Sequence, residues 1–217
     1  MDTATPRHDQ RLLAWRGPHP RRVDCAHVQL DSDSLTAHGT SLTSDYTLDY
    51  RLATGPSWVT DHLDIRSRGE GWWRSLTLHR DDAGVWTARW DGRGARTPDD
   101  PVPGLPDLDG ALDCDIGLCP LTNTMPILRH DLVGAAHAGR RLSVDLVMAF
   151  VAVPDLTIVA SHQRYRAAEP VESEGGALIR YASERFSTTL EVDATGLVVT
   201  YPGLGRRIEL GVPAGRP

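Results

Sequence analysis

Asp113 and Asp115 stand two residues apart, so an extended strand would hold both carboxylates on one face. Two acids so placed can divide general acid–base work or start a divalent-cation site. The next acid along the chain is Asp131, so the pair alone does not complete a cation shell. A strand edge facing solvent, or paired with arginine, accounts for the same spacing. Cys119, before Pro120, offers a thiol nucleophile, but no family-type signature surrounds it, and a buried cysteine acts as a small hydrophobe. Cys25, His27, Cys114 and Cys119 could be drawn as a zinc site, yet the closely paired ligands that specify zinc are missing. Asn123, in a Thr-Asn-Thr run, can hold an irregular loop by bonding its backbone. Arg129 can reach Asp113 or Asp115 as a fork, or hold a phosphate or carboxylate head group.

Other chemistries are closed by composition. All 23 basic residues are arginine, which excludes Schiff-base chemistry, a pyridoxal-phosphate anchor and a Walker-type phosphate loop. Neither Gly-x-Ser-x-Gly nor His-Glu-x-x-His occurs among the nine histidines and their neighbours. Net charge is −6, and the segment 99–115 carries six aspartates with no basic residue, so the rest of the chain is neutral. The arginine pairs at 21–22, 140–141 and 206–207 are scattered, and no nucleic-acid partner is expected. Three cysteines do not make a disulfide scaffold. The first residues lack a signal-peptide core, and the longest apolar run, 146–154, is under half a membrane span. A cytoplasmic protein that does not span a membrane is expected, with no cofactor and with its oligomeric state open.

The elements that must position these residues are strands. Tyr46, Leu48, Tyr50 and Leu52 alternate with Thr47, Asp49 and Arg51. The same period of two runs through 59–66, 86–90 and 186–192, as in half-buried antiparallel strands. Ala53-Thr54-Gly55-Pro56, Asp81-Asp82-Ala83-Gly84, Asp193-Ala194-Thr195-Gly196 and Tyr201-Pro202-Gly203 read as the turns between them. No sustained helical stripe occurs, so helices should be few and short. Residues 46–68 align with 144–166, and 73–90 with 185–202, which suggests two repeat-like halves, about 22–92 and 132–210. They flank a segment, 93–131, whose first part (91–110) reads as a surface loop and whose second carries the candidate residues. Five of six tryptophans fall between 58 and 90, suited to a core or to a concave ligand-binding face.

The stretch Asp113-Cys114-Asp115-Ile116-Gly117-Leu118-Cys119-Pro120-Leu121-Thr122-Asn123-Thr124-Met125-Pro126-Ile127-Leu128-Arg129 resembles the core motif of a bacterial family called "putative glycolipid-binding", formerly a domain of unknown function. That motif runs Asp-x-Asp-Leu-Gly-x-(Ser/Thr)-Pro-x-Thr-Asn-Thr-Leu-Pro-Ile-Arg-Arg-Leu. The stretches 58–67, 84–92, 162–166 and 190–203 are similar to the family too. Cys119 departs from its Ser or Thr, and Leu128 from the first of its two arginines. The resemblance implies a rolled sheet like the bacterial lipoprotein carriers, and a lipid or glycolipid ligand.

The expectation is therefore one all-β domain over 1–217, an antiparallel sheet curled into a roll or open barrel from two repeats. It should bind an amphipathic lipid or glycolipid without catalysis, in a continuous apolar cavity beside 113–129. Asp115, Asn123, Arg129, Arg164 and Tyr165 are the expected polar contacts. Two other readings stay open. A hydrolase or isomerase would need a histidine nitrogen bonded to Asp113 or Asp115 in a cleft; an interaction scaffold would show a flat exposed tryptophan patch.

Overall fold

The computed structural model describes residues 9–94, 104–171, 175–184 and 186–210. Asp99 and Asp100, and much of the expected 91–110 loop, lie outside them. Seven strands follow one another as a meander: β1 (Asp9–Gly17), β2 (Arg22–Leu30), β3 (Leu35–Leu42), β4 (Tyr46–Thr54), β5 (Thr60–Gly69), β6 (Trp72–Arg80) and β7 (Trp86–Gly94). A second run comprises β8 (Asp113–Ile116), β9 (Ser143–Val151), β10 (Ile158–Pro170), β11 (Ala177–Ser183), β12 (Phe186–Val192), β13 (Val198–Tyr201) and β14 (Gly205–Arg207). One sheet holds all fourteen, in the order β7 to β1, then β14 to β8. The two edge strands, β7 and β8, are thus consecutive in the chain.

Alternation sets each strand's faces. In β3, Leu35, Ala37, Gly39 and Ser41 are buried while Thr36, His38, Thr40 and Leu42 are exposed. Gly39 is glycine because Tyr50, opposite it on β4, lies across it: an added Cβ would meet the tyrosine ring at 2.1 Å. Side chains, not a strand ladder, draw the edges together. Trp86 Nε1 donates to the Ala111 carbonyl (3.0 Å), and Trp90 Nε1 donates to that of Leu156 (2.9 Å). Thr60 Oγ1 accepts from Cys114 N at 3.0 Å. The sheet is curled but not closed.

The pairing departs from the expected antiparallel sheet at one place: β8 runs parallel to β9. The chain between them makes a crossover through a 3-10 turn (Pro120–Asn123), α1 (Thr124–Arg129) and α2 (Leu132–His137), and a crossover returns a strand in its original direction. These two strands also separate two cores. Cys114, Ile116, Ala149 and Val151 pack with Trp15, Leu48 and Leu63. Met148 faces the other way, towards Ile127, Leu132, Tyr165 and Leu190. Burial on both faces explains the unbroken apolar run 146–154, which alternation would not produce.

The helices are short, six residues each, and no helix among the described residues is long and apolar enough to cross a membrane. Their position overturns the expected apolar cavity. Leu121 and Met125 fill the concave face of the first half and are wholly buried there. Between Trp15, Tyr50, Ile116 and Cys119 only about 10 Å³ is left. The motif occupies the space in which a ligand was expected.

The two halves share local detail. Trp58 and Leu156, 98 residues apart, both take positive φ (54° and 58°) just after a proline turn. Asp81 and Asp193, 112 apart, each accept the backbone N–H four residues on, and Gly84 and Gly196 both take positive φ. Between those matched stretches, β11 stands beside β10 in the second half, where the first half sets β6 directly against β5.

Candidate functional site

The motif's polar residues form two buried clusters on the second-core side of β8. Asp115 Oδ1 accepts from Thr122 Oγ1 at 2.7 Å and Oδ2 accepts from Gln163 Nε2 at 2.7 Å. Tyr165 OH donates to Asn123 Oδ1 at 2.9 Å and lies 3.1 Å from Gln163 Oε1. Asn123 Nδ2 in turn donates to the Pro120 carbonyl at 3.2 Å, which holds the 3-10 turn. Tyr165 then meets Tyr181 edge-on, with ring centres 5.2 Å apart, and Tyr181 meets Tyr201 at 5.8 Å. Burial pushes the Asp115 carboxyl up, and the bonds from Gln163 and Thr122 only partly offset it.

In the second cluster Arg129 Nη2 donates to Asp113 Oδ2. Burial pushes the Asp113 carboxyl up to about 7 although Arg129 pulls it down. The contact uses one guanidinium nitrogen and one oxygen rather than a fork. Leu128, which stands where the family motif has another arginine, packs against Gly196.

The five expected ligand contacts therefore separate. Asp115, Asn123 and Tyr165 belong to one network, Arg129 is beside Asp113, and Arg164 is elsewhere. It projects from the outward face of β10, 61% exposed, with Nε donating to Asp145 Oδ1 at 2.6 Å. Alternation puts it on the side opposite Tyr165, its neighbour in sequence. Gln163, the link between Asp115 and Tyr165, was not foreseen; its signal was the i, i+2 spacing to Tyr165 on a strand. Arg22 was also missed. Its fully buried side chain donates to Asp24 (2.7 Å) and to the carbonyls of Leu118 (2.9 Å) and Leu204 (2.8 Å). It thereby ties the β1–β2 hairpin to the motif.

Among the described residues, the partners that the alternative chemistries require do not come together. The hydrogen-bond partners of Asp113 and Asp115 among the described residues are Arg129, Thr122 and Gln163, and no histidine nitrogen is among them. Cys119 is buried, its thiol pushed up to about 12, so it holds its proton at neutral pH. Among the described residues no three His, Cys, Asp or Glu side chains group as a metal site. Cys25 is half-buried on the strand face opposite the core, away from buried Cys114 and Cys119. Trp15, Trp72 and Trp86 are buried and Trp58, Trp73 and Trp90 half-buried, so there is no flat exposed tryptophan patch.

Accessible amphipathic surface occurs instead beside the β1–β2 hairpin. A groove of about 640 Å³ runs between that hairpin and the β3–β4 turn, lined by Pro18, Val23, Leu42 and Thr43, with Arg16 and Arg21 at its rim. Val23 and Leu42 are cross-strand partners, 39% and 55% exposed. Arg22 lies beneath them and joins the groove to the motif.

A family profile described as "Putative glycolipid-binding" matches residues 12–207. A crystal structure of a DUF1089 family protein from Pseudomonas aeruginosa is similar to the chain, at 27% identity and a TM-score of 0.61, covering 85% of this chain and 92% of that one. Among curated proteins there is no match.

Proposed function

The chain belongs to the family described as "Putative glycolipid-binding", and from that premise we propose that it binds an anionic amphiphile, a lipid or glycolipid, without catalysis. The ligand lies in the groove of the β1–β2 hairpin rather than inside the curled sheet. One observation carries this: an apolar floor, Val23 and Leu42, stands exposed beside two arginines in a groove whose volume suits a small ligand. An acyl chain covering Val23 and Leu42 removes apolar surface from water. Arg16 and Arg21 supply planar donors that match a phosphate or carboxylate head group. The interior network of Asp115, Asn123, Gln163 and Tyr165 acts at a distance in this reading. It holds the segment whose Leu118 carbonyl anchors Arg22 under the groove.

Lysophosphatidylglycerol below its micellar concentration is a suitable probe, with native mass spectrometry and calorimetry as readouts. The wild type should bind it one to one. Arg16→Gln should weaken binding about tenfold, the loss of a charge-assisted bond, and Leu42→Asp should abolish it. Binding that survives both substitutions unchanged, in variants with wild-type circular dichroism, overturns the groove.

A further inference from the structure

We infer that the end of the sheet in which this groove opens docks on an anionic bilayer surface. The inference rests on the proposed groove only for the shared location; its evidence is a row of residues, most of which lie outside it. Across β14, β1, β2 and β3, strand register sets Arg206, Arg16, Val23 and Leu42 side by side on the outward face. Across β4 to β7 the same row continues through Thr47, Arg68, Trp73 and Arg93. At the usual strand spacing this row extends about 34 Å. It stays within one or two residues of the hairpin turns at that end, so a plane laid across the turns meets the row along its length.

Its composition is unlike that of a solvated face. Arg16, Arg68, Arg93 and Arg206 are exposed, as is Arg21 in the hairpin loop, and none makes an ion pair among the described residues. Elsewhere on the outward faces Arg164 pairs with Asp145 and His62 with Asp64, while Arg89, Arg166 and Arg180 also make no ion pair among the described residues, so what sets this row apart is the apolar residues set between its cations. Apolar side chains separate the unpaired cations: Val23, Leu42 and the half-buried Trp73, over whose ring Arg66 stacks at 5.0 Å. Cations interleaved with apolar and aromatic groups fit the boundary between lipid head groups and acyl chains, where both kinds find partners.

Charge at the other end orients the molecule. The β2–β3 and β6–β7 turns there carry Asp31, Asp33, Asp81 and Asp82. Asp107 and Asp109 join them, because Ala111 accepts from Trp86 and Arg80 at that end. The turns of the arginine end carry two exposed acids of their own, Asp45 and Glu70, against its five arginines, so charge among the described residues is still polarised, and an anionic surface favours the arginine end over the aspartate end.

Co-sedimentation with vesicles of mixed phosphatidylcholine and phosphatidylglycerol tests this, with pure phosphatidylcholine vesicles and a duplex DNA as comparisons. The wild type should bind mixed vesicles, release as salt rises, and ignore the neutral vesicles. Arg68→Glu with Arg93→Glu should weaken vesicle binding about thirtyfold or more, from the loss of two surface cations. Both residues lie outside the groove, so uptake of monomeric lysophosphatidylglycerol should be unchanged. Equal binding to neutral vesicles, indifference to the double substitution, or preference for duplex DNA overturns the docking. Vesicle binding that follows Arg68 and Arg93 while no variant, nor the wild type, takes up the monomer overturns the groove and leaves the docking standing.

Discussion

Asp113 is almost wholly withdrawn from water, with Arg129 as its one charged hydrogen-bond partner among the described residues, and that makes the pair a pH-sensitive point in the interior. Its carboxyl titrates near 7 in the folded protein and near 3.8 when unfolded, so folding takes up a proton between those values. Stability from this group is therefore greatest below about pH 4 and falls as pH rises through 7. Arg129→Met removes the group that pulls the Asp113 pKa down, so the folded pKa rises further and the carboxyl stays protonated at pH 8. The variant should therefore lose about 1 kcal/mol more stability at pH 8 than at pH 5, relative to the wild type. Urea unfolding at the two pH values measures it, and an equal loss at both would falsify the coupling. Much of this residue chemistry was legible in the sequence. The i, i+2 acids, the arginine within reach of one of them, and an asparagine bonding its own turn all follow from types and local spacing. Gln163 was not, because a glutamine on an alternating strand becomes a network member only through what another segment brings opposite it.

At the scale of elements, the two Asp-x-x-Gly hairpins give a controlled comparison. Gly84 and Gly196 both need positive φ, so alanine at either should cost about 1–2 kcal/mol. Their neighbours differ. An added Cβ at Gly84 meets the tip of the Arg80 side chain, which can move, whereas at Gly196 it meets buried-side Leu128 at 2.8 Å and Ile127 at 3.3 Å. Gly196→Ala should therefore lose about 1–3 kcal/mol more than Gly84→Ala, as overpacking does. Thermal unfolding of the two variants tests this, and equal losses would remove Leu128 from the account. These hairpins could be read from the sequence because turn residues state their geometry locally. The helix α1 could not. Thr-Met-Pro-Ile-Leu-Arg holds a proline and two β-branched residues, and its helical state comes from burying Met125 and Ile127, not from propensity. The parallel pairing of β8 was equally hidden, since it depends on where the crossover lands.

On the scale of the whole molecule, the curl is held by bonds between distant segments. Trp90→Phe removes the donor to the Leu156 carbonyl and should cost about 1 kcal/mol. In urea this should appear as an earlier midpoint with an unchanged slope, because the exposed area on unfolding stays the same. A shallower slope would mean that the sheet had opened already in the native state. Alternation, turn chemistry and composition by themselves determined the strands, their two faces and the all-β class, because each is a property of residues near one another in the chain. They also placed the charge imbalance and the motif. Only the tertiary structure decided that the motif fills the concave face, that Arg164 and Tyr165 part company, and that five unpaired arginines gather at one end. Those facts depend on which distant strands lie side by side, and no local period in the sequence records that.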